Sequence, residues 1–313
     1  MKELTNTKIE QLVKKLNKCE KNEKTGVSKI HKTEIEEELK KNYFSKKAVL
    51  GIDIYRYSQY PLLEQTLIPY LFKRLYYTTI DNCLVNEPFL FPSITVENFN
   101  EYFIDRGDGG FQIFDTPFQA LVFAIYFQAN IKRYNCSKDF LKDTKNVVGE
   151  ITLRYSLTYD DIYSYSHHIP KHVINNHYGP SIINNARIMA KDKLDRFLID
   201  DNTVSWFNEE INGIENLQII NTDNFNRFNF LKQYKKKNNK IQTVLFKKID
   251  KNILTVDLLK IGEIKSKFDT LSINNLHIQT VMSSGDNNSS GEIFTISLGN
   301  LNSEGITPTL QNL

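Results

Sequence analysis

Two acidic residues stand where their chemistry is most easily read. Asp53 closes the apolar run AVLGIDI (48–54), and Asp108 lies in the cluster Gly107-Asp108-Gly109-Gly110. A carboxylate inside a buried strand needs a cation or a hydrogen-bonding partner to offset its desolvation. Aspartate in a glycine-rich turn is also expected for backbone reasons alone. Brought together, the two carboxylates suit a hard divalent cation. Mg²⁺ or Mn²⁺ takes roughly six oxygens, commonly one or two carboxylates with substrate phosphates completing the shell. Two such ions ~3.5–4 Å apart would activate an attacking hydroxyl and neutralise a triphosphate.

The flanking sequence predicts how the two acids are placed. Residues 48–54 read as a buried strand, followed by a helical segment with Leu63, Leu67, Leu71 and Leu75 on one face. Pro61 suits its first turn and Pro69 is expected to kink it. Residues 86–100, with Pro88 and Pro92, read as a loop. Tyr102–Arg106 and Phe111–Phe114 flank the glycine cluster and predict a β-hairpin. Thr116 then caps a helix with Pro117 at its first position, running to about Tyr134. Ile151–Tyr165 is a strand, or a strand pair turning at Asp160-Asp161. Residues 181–194 are helical in pattern, 197–200 form a short strand, and a further helix and strand end near Asn221. The order β–α–ββ–α–β–α–β is that of an α+β fold, a ferredoxin-like split βαβ sheet with helices on one face. In such a sheet the first strand and the hairpin are neighbours, so Asp53 and Asp108 can reach one point.

Three segments, in order, carry a resemblance: GIDIYRYS (51–58), RGDGGFQIF (106–114) and YGPSIINNARI (178–188). Together they resemble the class III nucleotidyl cyclase catalytic domain, over about residues 46–221. The resemblance implies that Asp53 and Asp108, with the Ile54 carbonyl, bind two Mn²⁺ or Mg²⁺ ions, and that Tyr57 and Ser58 lie near the phosphates. It implies that Arg187, eight residues after Gly179, stabilises the transition state from the partner chain of a head-to-tail homodimer. The family's asparagine falls at Ile183, with Asn184 displaced by one place, and the groups that read a purine are replaced by Ile104 and Asn176. Arg106 as a donor, with Tyr55 or Tyr57 stacking, suits the smaller pyrimidine ring instead.

The segment YGPSIINNARIMAKDKLDRFLID, with LRYSLTYDDIY and NNLHIQ, is also similar to the pyrimidine cyclases of Pycsar antiphage defence. That resemblance implies conversion of UTP to cyclic UMP, or of CTP to cyclic CMP, the product acting on a separate effector. A purine cyclase and an inactive nucleotide-binding dimerisation module are the competing readings.

The composition fits. The chain has 313 residues, 40 Lys+Arg against 37 Asp+Glu for a net charge of +3, and 40% hydrophobic residues. That balance gives no reason to expect nucleic acid or a membrane surface as partner. Three scattered cysteines, Cys19, Cys83 and Cys136, offer neither a disulfide framework nor a CxxC site and suit the cytoplasm. His167, His168, His172 and His177 lack a zinc-ligand spacing, the Lys235–Lys237 run lacks aromatic partners, and no phosphate-loop motif occurs. The expected divisions are a helical arm (1–46), the catalytic domain (47–222), a β-rich extension without chemistry of its own (223–282) and a disordered tail (283–313).

Overall fold

A computed structural model describes residues 3–20, 27–137, 139–169, 172–192, 194–237, 241–247, 252–265, 269–283 and 293–306. In chain order the first elements are β1 (Leu4–Thr5), α1 (Asn6–Glu20), α2 (Val27–Tyr43), β2 (Ser45–Ile54) and α3 (Leu62–Asn86). Next come α4 (Val96–Glu101), β3 (Phe103–Asp105), β4 (Gly109–Phe114), α5 (Pro117–Cys136), α6 (Lys142–Val148) and β5 (Leu153–Ile169). The remainder is β6 (His172–Tyr178), α7 (Pro180–Lys191), β7 (Phe197–Asp200), α8 (Asp201–Ile211), α9 (Asn229–Lys237), β8 (Ile253–Lys265), β9 (Thr270–Ser283) and β10 (Ile293–Leu298).

The chain divides into two compact units, Met1–Lys47 with Asp160–Ile183, and Ala48–Tyr159 with Asn184–Leu313. In the smaller unit β1 pairs in parallel with the distal part of β5, Leu4 opposite Tyr165, and β6 pairs antiparallel with it. Leu4, Leu12 and Ile35 form its apolar cluster. The strand therefore continues through Asp160-Asp161, where a turn was an alternative expectation; the reversal follows Ile169.

The larger unit is α+β. Its strands run in the order β10-β9-β7-β5-β2-β4-β3. Within this, β5-β2-β4-β3 is the split βαβ arrangement expected from the sequence. β2 and β4 are antiparallel, and the register puts Asp53 opposite Gly109. Thr116 caps α5 in a reciprocal capping box with Gln119, Pro117 sitting at the helix start. α5 is apolar on nearly every face because it is buried along most of its length. It packs with α3 over β2, where Leu71, Phe72, Leu75, Phe123 and Phe127 meet Leu50 and Ile52. Each such side chain contributes roughly 1.5–3 kcal/mol by burial. Leu63 is the exception on α3: it is exposed, and Ile68 and Tyr76 are buried instead.

Pro69 sits inside α3. Lacking an N–H, proline leaves the carbonyl one turn earlier without its helical donor. That carbonyl belongs to Gln65, and the Tyr57 hydroxyl donates to it at 3.0 Å. Three further differences follow from local chemistry. The stretch read as a loop holds α4, started by a Thr95–Asn98 capping box. The strand expected before Asn221 is a 3₁₀ turn over Ile214–Ile219, and β9 takes the place beside β7, with Leu198 opposite Asn275. The segment after 225 thus extends the main sheet, and within the tail expected to be disordered β10 pairs along β9, residues 284–292 and 307–313 lying outside the described residues.

A buried carboxyl ties this extension down. Glu87 accepts hydrogen bonds from the Tyr126 hydroxyl at 2.8 Å, the Thr243 hydroxyl at 2.5 Å, and the backbone N–H groups of Val244 and Leu245 at 2.9 Å each. Burial nevertheless pushes its acid constant up to about 7 from 4.5. A raised carboxyl value means stability that is fully present below pH 4.5 and lost as pH rises through 7. Glu87→Gln should remove this component. In thermal melts, wild type should lose on the order of 3 kcal/mol relative to Glu87→Gln across that window. Parallel pH profiles would refute the assignment.

Candidate active site

The site is built where β2 ends beside the β3–β4 hairpin. Asp53 stands at the penultimate position of β2, and Ile54 N–H donates to the Asp108 carbonyl at 3.1 Å. Glycine at 109 is required here, because a Cβ would collide with the Ile52 carbonyl and the Asp53 backbone. Gly51 is constrained similarly: a Cβ would strike the side chains of Asn185 and Ser156. The glycines of both motifs are thus the condition for bringing the acids together.

Burial and the nearby charge of Asp53 raise the Asp108 carboxyl above its usual value. Two like charges so close, one partly desolvated, form a place that a divalent cation relieves. Among the described residues no three His, Cys, Asp or Glu side chains converge to hold a metal. Two carboxylates are what Mg²⁺ or Mn²⁺ uses when phosphates complete the shell. The donor set therefore fits such an ion brought with a polyphosphate.

Arg154, which the sequence reading did not select, enters from β5. Its Nε donates to Asp53 Oδ2 at 2.6 Å and its Nη1 to the Asp192 carbonyl at 2.6 Å. The pairing spans 101 residues and is set by topology alone, so no local signal announces it. Arg106 is exposed, packs its guanidinium over Phe111 at 5.2 Å, and acts electrostatically on Asp108.

The other expected residues are placed as follows. A cavity of about 320 Å³ is lined by Tyr55, Arg56, Gln59, Tyr60, Glu150 and Thr152, together with Pro61. Arg56 lies 4.9 Å over the Tyr55 ring. Tyr57 is committed elsewhere: its hydroxyl serves the Gln65 carbonyl and its ring packs on the core. Ser58 is exposed in the 3₁₀ turn Tyr57–Gln59, its carbonyl accepting from Gln65 Nε2 at 3.4 Å.

Arg187 forms a group of its own on α7. Nη1 donates to Asn184 Oδ1 at 2.9 Å and pairs with Asp269 at 3.4 Å, and Nη2 donates to the Ile264 carbonyl at 3.5 Å. Its hydrogen bonds and ion pairs go to these groups rather than to Asp53 or Asp108. Ile183 is exposed. Asn184 is buried against the arginine, whereas Asn185 is fully buried and donates to the Val49 carbonyl at 2.6 Å. Asn184 is therefore the asparagine that orients Arg187, and Asn185 is a packing residue between α7 and β2. Of the histidine cluster, His177 meets Ser164 Oγ at 3.0 Å, while the side chains of His167, His168 and His172 lie outside the described residues, as do those of Lys235–Lys237.

No family model matches the chain, and no curated protein does. Some solved structures align with it at low similarity. The guanylyl cyclase Cya2 has 8% identity over 80% of this chain and 97% of its own, with a TM-score of 0.42. The adenylyl cyclase CyaB from P. aeruginosa has 10% identity over 74% and 94%, with a TM-score of 0.43. The guanylate cyclase domain of RhGC from Catenaria anguillulae, in complex with GTP, has 11% identity over 74% and 95%, with a TM-score of 0.41. At these values the overlap carries no weight for the chemistry, which rests on this chain's own residues. No helix among the described residues is long and apolar enough to cross a membrane.

Proposed function

We propose that the chain is a nucleotidyl cyclase that converts a pyrimidine nucleoside triphosphate, UTP in the first place and CTP as the alternative, to its 3′,5′-cyclic monophosphate. The observation that supports this reading is the register of β2 and β4, which sets Asp53 opposite Gly109, next to Asp108, with the charge of Asp53 acting on the Asp108 carboxyl. Two bound Mn²⁺ or Mg²⁺ ions would neutralise the triphosphate and acidify the ribose 3′-hydroxyl. Asp53 and Asp108 would hold them, with the Ile54 carbonyl as a further ligand. The 3′-oxygen forms a bond to the α-phosphorus, the bond from that phosphorus to the β-phosphate oxygen breaks, and diphosphate leaves. The 3′-hydroxyl proton passes to solvent.

Arg187 of a partner subunit would stabilise charge on the triphosphate as the bond to the leaving group lengthens, so a homodimer carries two equivalent sites. Within one chain Arg187 is already aimed by Asn184 and Asp269 rather than at the acids, as a group serving another subunit would be. For the base, Tyr55 offers a ring beside an open cavity and exposed Arg106 offers a donor near Asp108. Tyr57 is better assigned to holding the turn after β2 against α3. A role of the product as an antiphage signal to a separate effector, in the cytoplasm, follows from the sequence resemblance.

Incubating the full chain with each of the four ribonucleoside triphosphates and Mn²⁺ tests the reading. Cyclic UMP is the expected main product, with cyclic CMP second. Cyclic AMP or cyclic GMP as sole product would overturn the pyrimidine assignment. Nucleotide binding with no cyclic product would leave a binding module.

A further inference from the structure

Arg154 is held at both ends. Nε meets Asp53 Oδ2 at 2.6 Å, and Nη1 meets the Asp192 carbonyl at 2.6 Å. Asp192 is itself immobilised: its buried carboxylate pairs with Arg196 at 3.0 Å and accepts the Leu194 and Arg196 backbone N–H groups at 3.2 and 2.9 Å. The guanidinium is thus a fixed positive charge on the strand beside Asp53, and its field extends to Asp108. Arg154 thus pairs directly with Asp53, while exposed Arg106 on the hairpin acts on Asp108 only through its field.

A free divalent ion must compete with this guanidinium for Asp53 and is repelled by it, because it cannot withdraw. An ion that arrives with a polyphosphate brings its own compensating negative charge. We infer that Arg154 is a positioning residue that fixes Asp53 and makes the carboxylate pair discriminate against free divalent ions in favour of ions delivered with a triphosphate. This rests on Asp53 and Asp108 being the metal-holding pair.

Mn²⁺ binding to the full chain, followed by electron paramagnetic resonance with and without inorganic triphosphate, tests this apart from turnover. In wild type, triphosphate should strengthen Mn²⁺ binding strongly. Arg154→Gln should raise affinity for free Mn²⁺ about tenfold and shrink the triphosphate effect, while Arg154→Lys, which keeps the charge, should stay near wild type. A circular dichroism spectrum and melting curve like those of wild type guard against misfolding, and Arg154→Met supplies a second neutral variant. Unchanged or weaker Mn²⁺ binding in both neutral variants, with binding lost in Asp53→Asn, would overturn the role of Arg154 alone. Mn²⁺ binding that survives both Asp53→Asn and Asp108→Asn would overturn the metal pair, and with it this inference.

Discussion

Asp53→Asn and Asp108→Ala should each lower cyclic nucleotide formation by about 10³-fold or more, because each removes one of the two carboxylates proposed to hold the ions. Their effects on stability should differ in sign. Asp53 is paired with a half-buried guanidinium, so its loss leaves Arg154 without its carboxylate and lowers the melting temperature. Asp108 has a raised carboxyl value from burial and from Asp53, so its ionised form opposes folding at neutral pH. Asp108→Ala should therefore melt no lower than wild type, and relatively higher as pH rises above the acid range. Full activity in either variant, measured as product formed from UTP with Mn²⁺, would remove the basis of the cyclase reading.

The second large effect concerns Arg187. Arg187→Ala should lose ~10²–10³-fold in rate, the usual cost of removing one preorganised donor from a transition state. The decisive form of the experiment mixes two inactive chains. Asp53→Asn chains retain Arg187, and Arg187→Ala chains retain both acids. In a heterodimer of the two, one of the two sites is intact by symmetry. Random exchange makes about half the dimers mixed, so activity should return to about one quarter of wild type. No recovery, with exchange verified by mass, would mean that Arg187 does not act across a subunit boundary.

Much of the central sheet was legible because each element carried its own punctuation. Thr116-Pro117 announces α5, the glycine cluster announces the β3–β4 hairpin, and AVLGIDI announces β2. The two acids could be paired in advance because hairpin and first strand are neighbours in a split βαβ sheet. Arg154 was not legible as Asp53's partner, since nothing local to LRYSLT distinguishes a strand arginine facing solvent from one facing a carboxylate. The resemblance puts Tyr57 near the phosphates, and nothing in its local sequence announces its packing role. Only the helix shows that Pro69 leaves the Gln65 carbonyl needing a donor that Tyr57 supplies. The C-terminal strands were ambiguous for a different reason: alternating apolar residues describe a sheet equally well whether it stands alone or joins another edge.

The Glu87 network has a practical consequence for dissecting this protein. A chain truncated after residue 222 would shed Thr243, Val244 and Leu245, three of the four donors to that acid, and would also expose the β7 edge that β9 covers. The remnant would carry a stranded carboxylate in its hydrophobic interior and an unprotected strand prone to self-association. Minimal catalytic fragments should therefore be sought by trimming the N-terminal side, and a protease nick between α8 and β8 should inactivate while touching no reacting group.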